Sequence, residues 1–242
     1  MLRLLKIVTC YIISVTDCWL DLNFVVDSSG SINDYDSTNW DKSLAFIVEL
    51  VRQFTIGPND VQVAFVLFSL EATVEWGFTE YQDKDRLIDA ILNVRYLSSW
   101  TNLNDALILT RTDVYAPGNG AREGALRVTI ILTDGEDNIP EVGTPWTLEN
   151  ATLCKNDSIL LIAVGVTDGV DGERLKQISS TNDYYSVDDF DALDDIVDDL
   201  KAQICPTGPP APGRSYCIHL IYSIVIMSRR RDCPVLHYSK SC

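Results

Sequence analysis

Histidine is almost missing from this chain: His219 and His237 are the only two, and both stand beyond residue 215. No imidazole is therefore available inside residues 18–205 to activate a serine or cysteine, and no G-x-S-x-G turn presents such a nucleophile. Seven cysteines occur without a C-x-x-C pair or a nearby histidine, which argues against a zinc finger or ribbon. Positive charge is scarce as well, with 19 Lys and Arg against 35 Asp and Glu and a formal charge of −16. The acids crowd residues 168–199, whereas Arg229-Arg230-Arg231 lie in the tail, so no basic face is offered to nucleic-acid phosphates. A Walker loop is absent, and no lysine or arginine follows Asp27 closely enough to clamp a phosphate. The chain is expected to be no enzyme. Internal repeats are lacking too, and the apolar stretch 216–227 falls short of the roughly 20 residues of a membrane helix.

What is present is a pair of short polar turns, each directly after an apolar run. Leu22-Asn23-Phe24-Val25-Val26 leads into Asp27-Ser28-Ser29-Gly30-Ser31, and Val128-Thr129-Ile130-Ile131-Leu132 leads into Thr133-Asp134-Gly135. Each run has the length and β-branched content of a strand buried on both faces, so each turn sits at the carboxyl edge of an open sheet, where such sheets bind ligands. Asp27, Ser29 and Ser31 alternate, which lets three oxygens point into one pocket, with Gly30 tightening the turn. Asp134 can add a second carboxylate. A donor set of hydroxyls and few carboxylates suits a hard divalent cation, magnesium above all. Two carboxylates only just neutralise that ion, which leaves it electrophilic toward one more anionic oxygen from outside. The competing reading of the first turn is a helix cap, a role that Ser and Asp also fill.

The remaining pattern alternates strands and helices. Trp40, Leu44, Ile47, Val48, Val51 and Phe54 recur at helical spacing, and Gly57-Pro58-Asn59-Asp60 stops that helix. Residues 61–68 read as a buried strand, 72–78 as its edge partner, 83–92 as a helix, and Thr101 as the opening of another helix. Beyond the 128–132 strand, helices are expected over 147–155 and 171–180, strands over 159–166 and 184–187, and a final acidic helix from Phe190 to Ile204, its aspartates a solvated face. Such alternation predicts an α/β fold, a doubly wound, mostly parallel sheet with one antiparallel edge strand and helices on both faces. Tyr81, Tyr96 and Trp100 fall on loops and are either rim anchors for a protein partner or plugs between helices. Glu136 and Asp137 read as solvated rim.

These residues resemble the von Willebrand factor type A domain, a Rossmann-like fold whose metal-ion-dependent adhesion site (MIDAS) is written D-x-S-x-S, a threonine, then T-D-G. Asp27, Ser29 and Ser31 match the first part and Asp134 the last. Thr101-Asn102-Leu103-Asn104-Asp105-Ala106-Leu107 is similar to the family's T-N-T-G-x-A-L, departing from it at Leu103 and Asn104. The resemblance covers residues 18–205. It implies a magnesium ion, replaceable by manganese or calcium, held by Ser29, Ser31 and Thr101, with Asp27 and Asp134 binding directly or through water. It implies a partner's aspartate or glutamate as the last ligand. The partners implied are collagens, other matrix proteins or adhesion receptors, and the location is secreted, in the extracellular matrix, or at the cell surface among collagen- and matrilin-like proteins. A structural matrix-assembly module, in which the metal only stabilises the loops, is the rival expectation.

Cys18 precedes the first strand and Cys205 ends the last helix. A bridge there would clip both ends of the domain, as in many matrix relatives, and by loop entropy would contribute roughly 5 kcal/mol. Cys154 reads as a small buried hydrophobe. Residues 1–16 read either as the first regions of a signal peptide or as a truncated start, and residues 206–242 as a Pro/Gly linker with a Cys- and Arg-containing tail of a multi-domain parent. Asn150 and Asn156 head glycosylation sequons that would be used in a secreted chain.

Overall fold

The computed structural model describes residues 18–135 and 144–205. Its strands are β1 (Leu20–Asp27), β2 (Val61–Phe68), β3 (Ala72–Trp76), β4 (Leu126–Thr133), β5 (Ile159–Val166) and β6 (Tyr185–Val187). They form one sheet in the order β3-β2-β1-β4-β5-β6. β3 alone is antiparallel, paired to β2, and every other neighbouring pair is parallel. The helices are α1 (Asn39–Arg52), α2 (Lys84–Leu92), α3 (Leu103–Leu109), α4 (Thr144–Asn156), α5 (Gly172–Ile178) and α6 (Val197–Ile204). This is the expected doubly wound α/β fold with one antiparallel edge strand.

The apolar runs form strands because both faces of the sheet are covered. All eight positions of β1 and of β2 are buried. Alternation then sorts side chains between two cores. Leu22, Phe24 and Val26 pack with Leu44, Ile47 and Val51 of α1 and with Leu200 and Ile204 of α6. Val25, Val66 and Ile131 face the other way, toward Leu107 of α3 and Ala151 and Cys154 of α4. Cys154 is fully buried, as expected of a small hydrophobe, and burial raises its thiol to about 11. Burying a side chain such as Phe24 stabilises by roughly 1.5–3 kcal/mol.

Cys18 and Cys205, 187 positions apart in sequence, are joined, with Cα atoms 5.8 Å apart. The start of β1 and the end of α6 are therefore tied at the amino edge of the sheet. Asp21, also near that edge and wholly buried, is held by Arg122: the guanidinium Nε donates to Oδ1 at 2.8 Å and the Arg122 backbone N–H to Oδ2 at 2.6 Å. The same guanidinium donates to the carbonyls of Leu20, Pro58 and Asp60 at 2.7–2.9 Å.

Two local expectations need correction, and one open choice is decided. The helix after Thr101 starts at Leu103, because the Asn102 side chain caps it by accepting from the Asp105 N–H at 3.1 Å. It then continues as a π-helical turn over Thr110–Val114. The acidic final helix divides into a 3-10 segment, Phe190–Ile196, and α6. Aspartates 191, 194, 195, 198 and 199 put like charges three and four positions apart, which weakens a continuous α-helix. Tyr81 follows β3, and because β3 runs antiparallel its exit lies at the amino edge. There Tyr81 meets the Trp76 ring edge-on at 5.3 Å, the plug of its two expected roles.

Candidate metal centre

The chain reverses its direction of winding between β1 and β4: β2 lies on one side of β1 and β4 on the other. The turns after these two strands leave around a crevice at the carboxyl edge, the place where open α/β sheets bind ligands. Asp27 ends β1, Thr133 ends β4, and the Ser29 and Asp134 turns follow directly.

Inside that crevice the predicted side chains meet. The Asp27 Oδ1 accepts from the Ser29 backbone N–H at 2.8 Å, and its Oδ2 accepts from the Thr133 hydroxyl at 2.6 Å. Ser31 donates to Asp134 Oδ1 at 2.9 Å, and the Ser29 and Ser31 hydroxyls are 3.1 Å apart. Asp27, Ser29 and Asp134 are buried, and Ser31 is half-buried. Four of the five predicted ligands thus belong to one hydrogen-bonded chain.

The fifth, Thr101, is buried on a loop zipped to the same turn. Ser28 accepts the Ser98 N–H on its carbonyl at 2.9 Å and the Leu97 N–H on its hydroxyl at 2.7 Å. Gly30 donates to the Ser99 carbonyl at 2.8 Å. Ser69, after β2, accepts from the Ser99 N–H at 3.1 Å and donates to the Trp100 carbonyl at 2.9 Å. Ser99 is therefore pinned from two sides, and Trp100, the residue before Thr101, is held by Ser69. Gly30 itself carries no steric demand, since an added Cβ would meet the Ser99 carbonyl oxygen at an ordinary 3.6 Å. The glycine that does matter is Gly169, where a Cβ would stand 2.9 Å from the Asp134 carbonyl oxygen. Its loop can close on the Asp134 turn only without a side chain there.

Sequence reasoning missed several supports of this site. Thr133 was visible as part of T-D-G, but its bond to Asp27 follows only once β4 lies beside β1. Tyr96 places its hydroxyl 2.7 Å from the Ser29 carbonyl and 3.0 Å from that of Gly30, donating into both, while its ring packs on Trp40 at 5.6 Å. Tyr96 is thus a buttress under the metal turn. Trp100 remains open, 53% exposed. Glu136 and Asp137 lie outside the described residues, as do residues 1–17 and 206–242 with Cys10, Cys217, Cys233 and Cys242.

Electrostatics single out the same place. Burial, with the nearby Asp134 charge adding to it, raises the Asp27 carboxyl to about 7. Burial also raises Asp134 to about 6, opposed by the Ser31 hydrogen bond. Two carboxylates that resist ionisation side by side are what a divalent cation relieves. Among the described residues no group of three His, Cys, Asp or Glu could hold a metal, so hydroxyls must complete any shell here. The oxygen-only set of Asp27, Asp134, Ser29, Ser31 and Thr101 fits a hard divalent ion.

The two sequons differ in setting. The Asn150 side-chain amide donates to the Asn104 side chain at 2.9 Å and to the Trp146 carbonyl at 3.1 Å, tying α4 to α3. Asn156 is exposed at the last residue of α4.

Comparison with known proteins gives the lineage. The family model of the von Willebrand factor type A domain matches residues 21–199. The chain is 33% identical over 193 residues to the collagen alpha-1(XII) chain of Notophthalmus viridescens, covering 78% of this chain and 20% of that one. It is 32% identical over 198 residues to the transmembrane cell adhesion receptor mua-3 of Caenorhabditis elegans, covering 80% and 5%. It thus spans a fifth or less of these two relatives, which are matrix and cell-adhesion proteins. Among solved structures, proximal thread matrix protein 1 from the mussel byssus, with zinc in its MIDAS motif, aligns at a TM-score of 0.71 and 29% identity, over 78% of this chain and 46% of that one. Fold, motif order and matched span agree: this chain belongs to the von Willebrand factor type A family.

Proposed function

We propose that this domain is a metal-dependent protein-binding module of extracellular matrix or cell-surface adhesion, in which a bound magnesium ion captures a carboxylate from the partner. Ser29, Ser31 and Thr101 would hold the ion through hydroxyl oxygens, and Asp27 and Asp134 would balance its charge directly or through water. When bound, the ion supplies a Lewis-acidic site for one more anionic oxygen. The observation that carries this reading is the hydrogen-bonded chain from Asp134 through Ser31 to Ser29 beside the buried Asp27. It gathers oxygens from two distant turns at the edge where a partner can reach them. The partners proposed are collagens or other matrix proteins presenting aspartate or glutamate, and the chain is proposed to act outside the cell without catalysing a reaction.

Zinc in the MIDAS motif of the mussel thread protein supports divalent-metal binding by relatives of this chain. The test is isothermal titration of the chain with magnesium, manganese and calcium beside Asp27→Ala, followed by binding to immobilised collagen in magnesium and in EDTA. Saturable uptake lost in the variant, with collagen binding abolished by EDTA while the fold persists, is the expected result. Normal uptake by Asp27→Ala would remove the metal reading. Collagen binding that survives EDTA, with only the melting temperature lowered, would leave the structural matrix-assembly role instead.

A further inference from the structure

The loop between the π-helical turn and β4 holds the one Asn-Gly step of the chain, Asn119-Gly120. Ala116-Pro117-Gly118-Asn119 is a tight reversal: the Asn119 N–H donates to the Ala116 carbonyl at 3.2 Å, with Pro117 at the second position and Gly118, at φ +91°, at the third. Gly120 follows at φ +95°, and a Cβ there would stand 3.0 Å from the Thr79 methyl carbon. Only glycine suits that backbone, so the fold itself fixes which residue comes after Asn119. Glycine is also the neighbour that leaves its peptide nitrogen most open to attack.

Asn119 and Asp113 are both exposed, and a single clasp joins them. The Asn119 side-chain nitrogen donates to the Asp113 carbonyl at 2.9 Å and to the Asp113 carboxylate Oδ1 at 3.1 Å. While both bonds last, the carboxamide is held back along the chain and its Cγ cannot swing onto the Gly120 nitrogen. Bonds exposed to solvent in a loop open readily. The Gly120 N–H has no acceptor among the described residues, so no bond within them must break before its nitrogen reacts.

We propose that Asn119 is a self-modification site, where the carboxamide is exchanged for a carboxylate at a rate set by the Asp113 clasp. The Gly120 nitrogen, on losing its proton to hydroxide, attacks the Asn119 Cγ. The N–Cγ bond forms, the Cγ–Nδ2 bond breaks, and Nδ2 takes a proton from water and leaves as ammonia. Water then opens the succinimide at either carbonyl, which gives aspartate or isoaspartate. In sum one amide and one water become one acid and one ammonia, without redox change and without an enzyme. The product cannot remake the clasp, because both donated hydrogens are gone and a carboxylate now faces that of Asp113. The altered loop is the one that carries Arg122 to Asp21, so conversion loosens the amino edge and leaves the metal turns at the other edge as they are.

The test incubates the full chain at pH 8 and follows Asn119 by peptide mass spectrometry, with enzymatic methyl transfer to isoaspartate as a second readout. Asn119 is expected to convert at least about 10-fold faster than any other asparagine, and faster still at higher pH. Asp113→Ala removes the carboxylate half of the clasp and should raise the rate at least about 3-fold. Asn119→Gln, whose ring closure needs one more carbon, should abolish ammonia release from this step. Asn119→Asp, which copies one product, should lower the urea midpoint with magnesium uptake unchanged, and adding Asp113→Asn should restore it. An Asn119 that stays intact while the urea-unfolded chain converts there, or a rate that Asp113→Ala does not raise, overturns the inference. A midpoint that Asn119→Asp leaves unmoved overturns the loosening of the amino edge.

Discussion

β1 carries two buried aspartates, one near each end, and they are neutralised in opposite ways. Asp21 lies at the amino edge, where Arg122 supplies a cation from within the chain, a fork of donors and three further bonds that hold the arginine itself. Asp27 lies at the carboxyl edge, where it accepts from the Ser29 amide and the Thr133 hydroxyl, both uncharged. Burial raises both carboxyls, and for Asp21 the Arg122 charge and hydrogen bonds oppose the rise. One strand end is thus neutralised from within, and the other leaves a buried carboxyl for the external ion proposed above. A polar residue in a buried strand is informative chiefly through what neutralises it.

The largest way to break this comparison is to remove the internal cation. Arg122→Met should destabilise the domain by about 3–5 kcal/mol, the usual cost of stranding a buried charge. Urea unfolding at pH 7 in EDTA measures it, and adding Asp21→Asn should recover part of the loss. A cost below about 1 kcal/mol would mean that Asp21 needs no partner, and the contrast between the two ends would fail. The matching change at the other end is Asp27→Asn. In EDTA at pH 7 its stability should not fall and should rise, since no paired charge is broken and the amide removes the cost of a buried carboxyl. Its magnesium affinity, by calorimetry, should fall at least about 100-fold, or about 2.7 kcal/mol.

Acidity sharpens the same contrast. In EDTA the folded Asp27 carboxyl titrates at about 7 and Asp134 at about 6, against 3.8 as their ordinary value. The folded state therefore holds more protons than the unfolded one between about pH 4 and 7, so cation-free stability should decline as pH rises through that window. Metal binding has the opposite sign. The ion needs both carboxylates ionised, so its affinity should climb from pH 5 to about pH 7 and then level off, with protons released on binding below pH 7. Calorimetry in buffers of different ionisation enthalpy counts them. An affinity flat from pH 5 to 8 would show that the two aspartates are ionised without help.

Much of this was legible in the order of residues. Runs such as those of β1 and β2 announce strands covered on both faces, and alternation in Asp27-Ser28-Ser29-Gly30-Ser31 announces converging oxygens. What stayed hidden depends on neighbours distant in sequence. Arg122 reaches Asp21 across 101 residues and Thr133 reaches Asp27 across 106, and neither local sequence carries a sign of the other. Tyr81 stayed undecided between rim and plug because loop position alone does not say which edge of the sheet a loop serves. The division of the final acidic helix is a matter of charge repulsion that an apolar stripe conceals.

The smallest expected effect tests whether the metal edge also depends on structural support. Tyr96 is not one of the five proposed ligands, yet its hydroxyl donates to the carbonyls of Ser29 and Gly30 while its ring stays against Trp40. Tyr96→Phe keeps the ring and deletes only that support, so stability should fall by about 0.5–1.5 kcal/mol. If the buttress positions the serine turn, magnesium affinity should also fall several-fold, and calorimetry of the variant at pH 8, where Asp27 and Asp134 are ionised, separates this from any change in their titration. An affinity unchanged while stability drops would mean that the Ser28 and Gly30 bonds to the Leu97, Ser98 and Ser99 backbone already fix the turn, and that the rigidity of the metal edge comes from its backbone ladder alone.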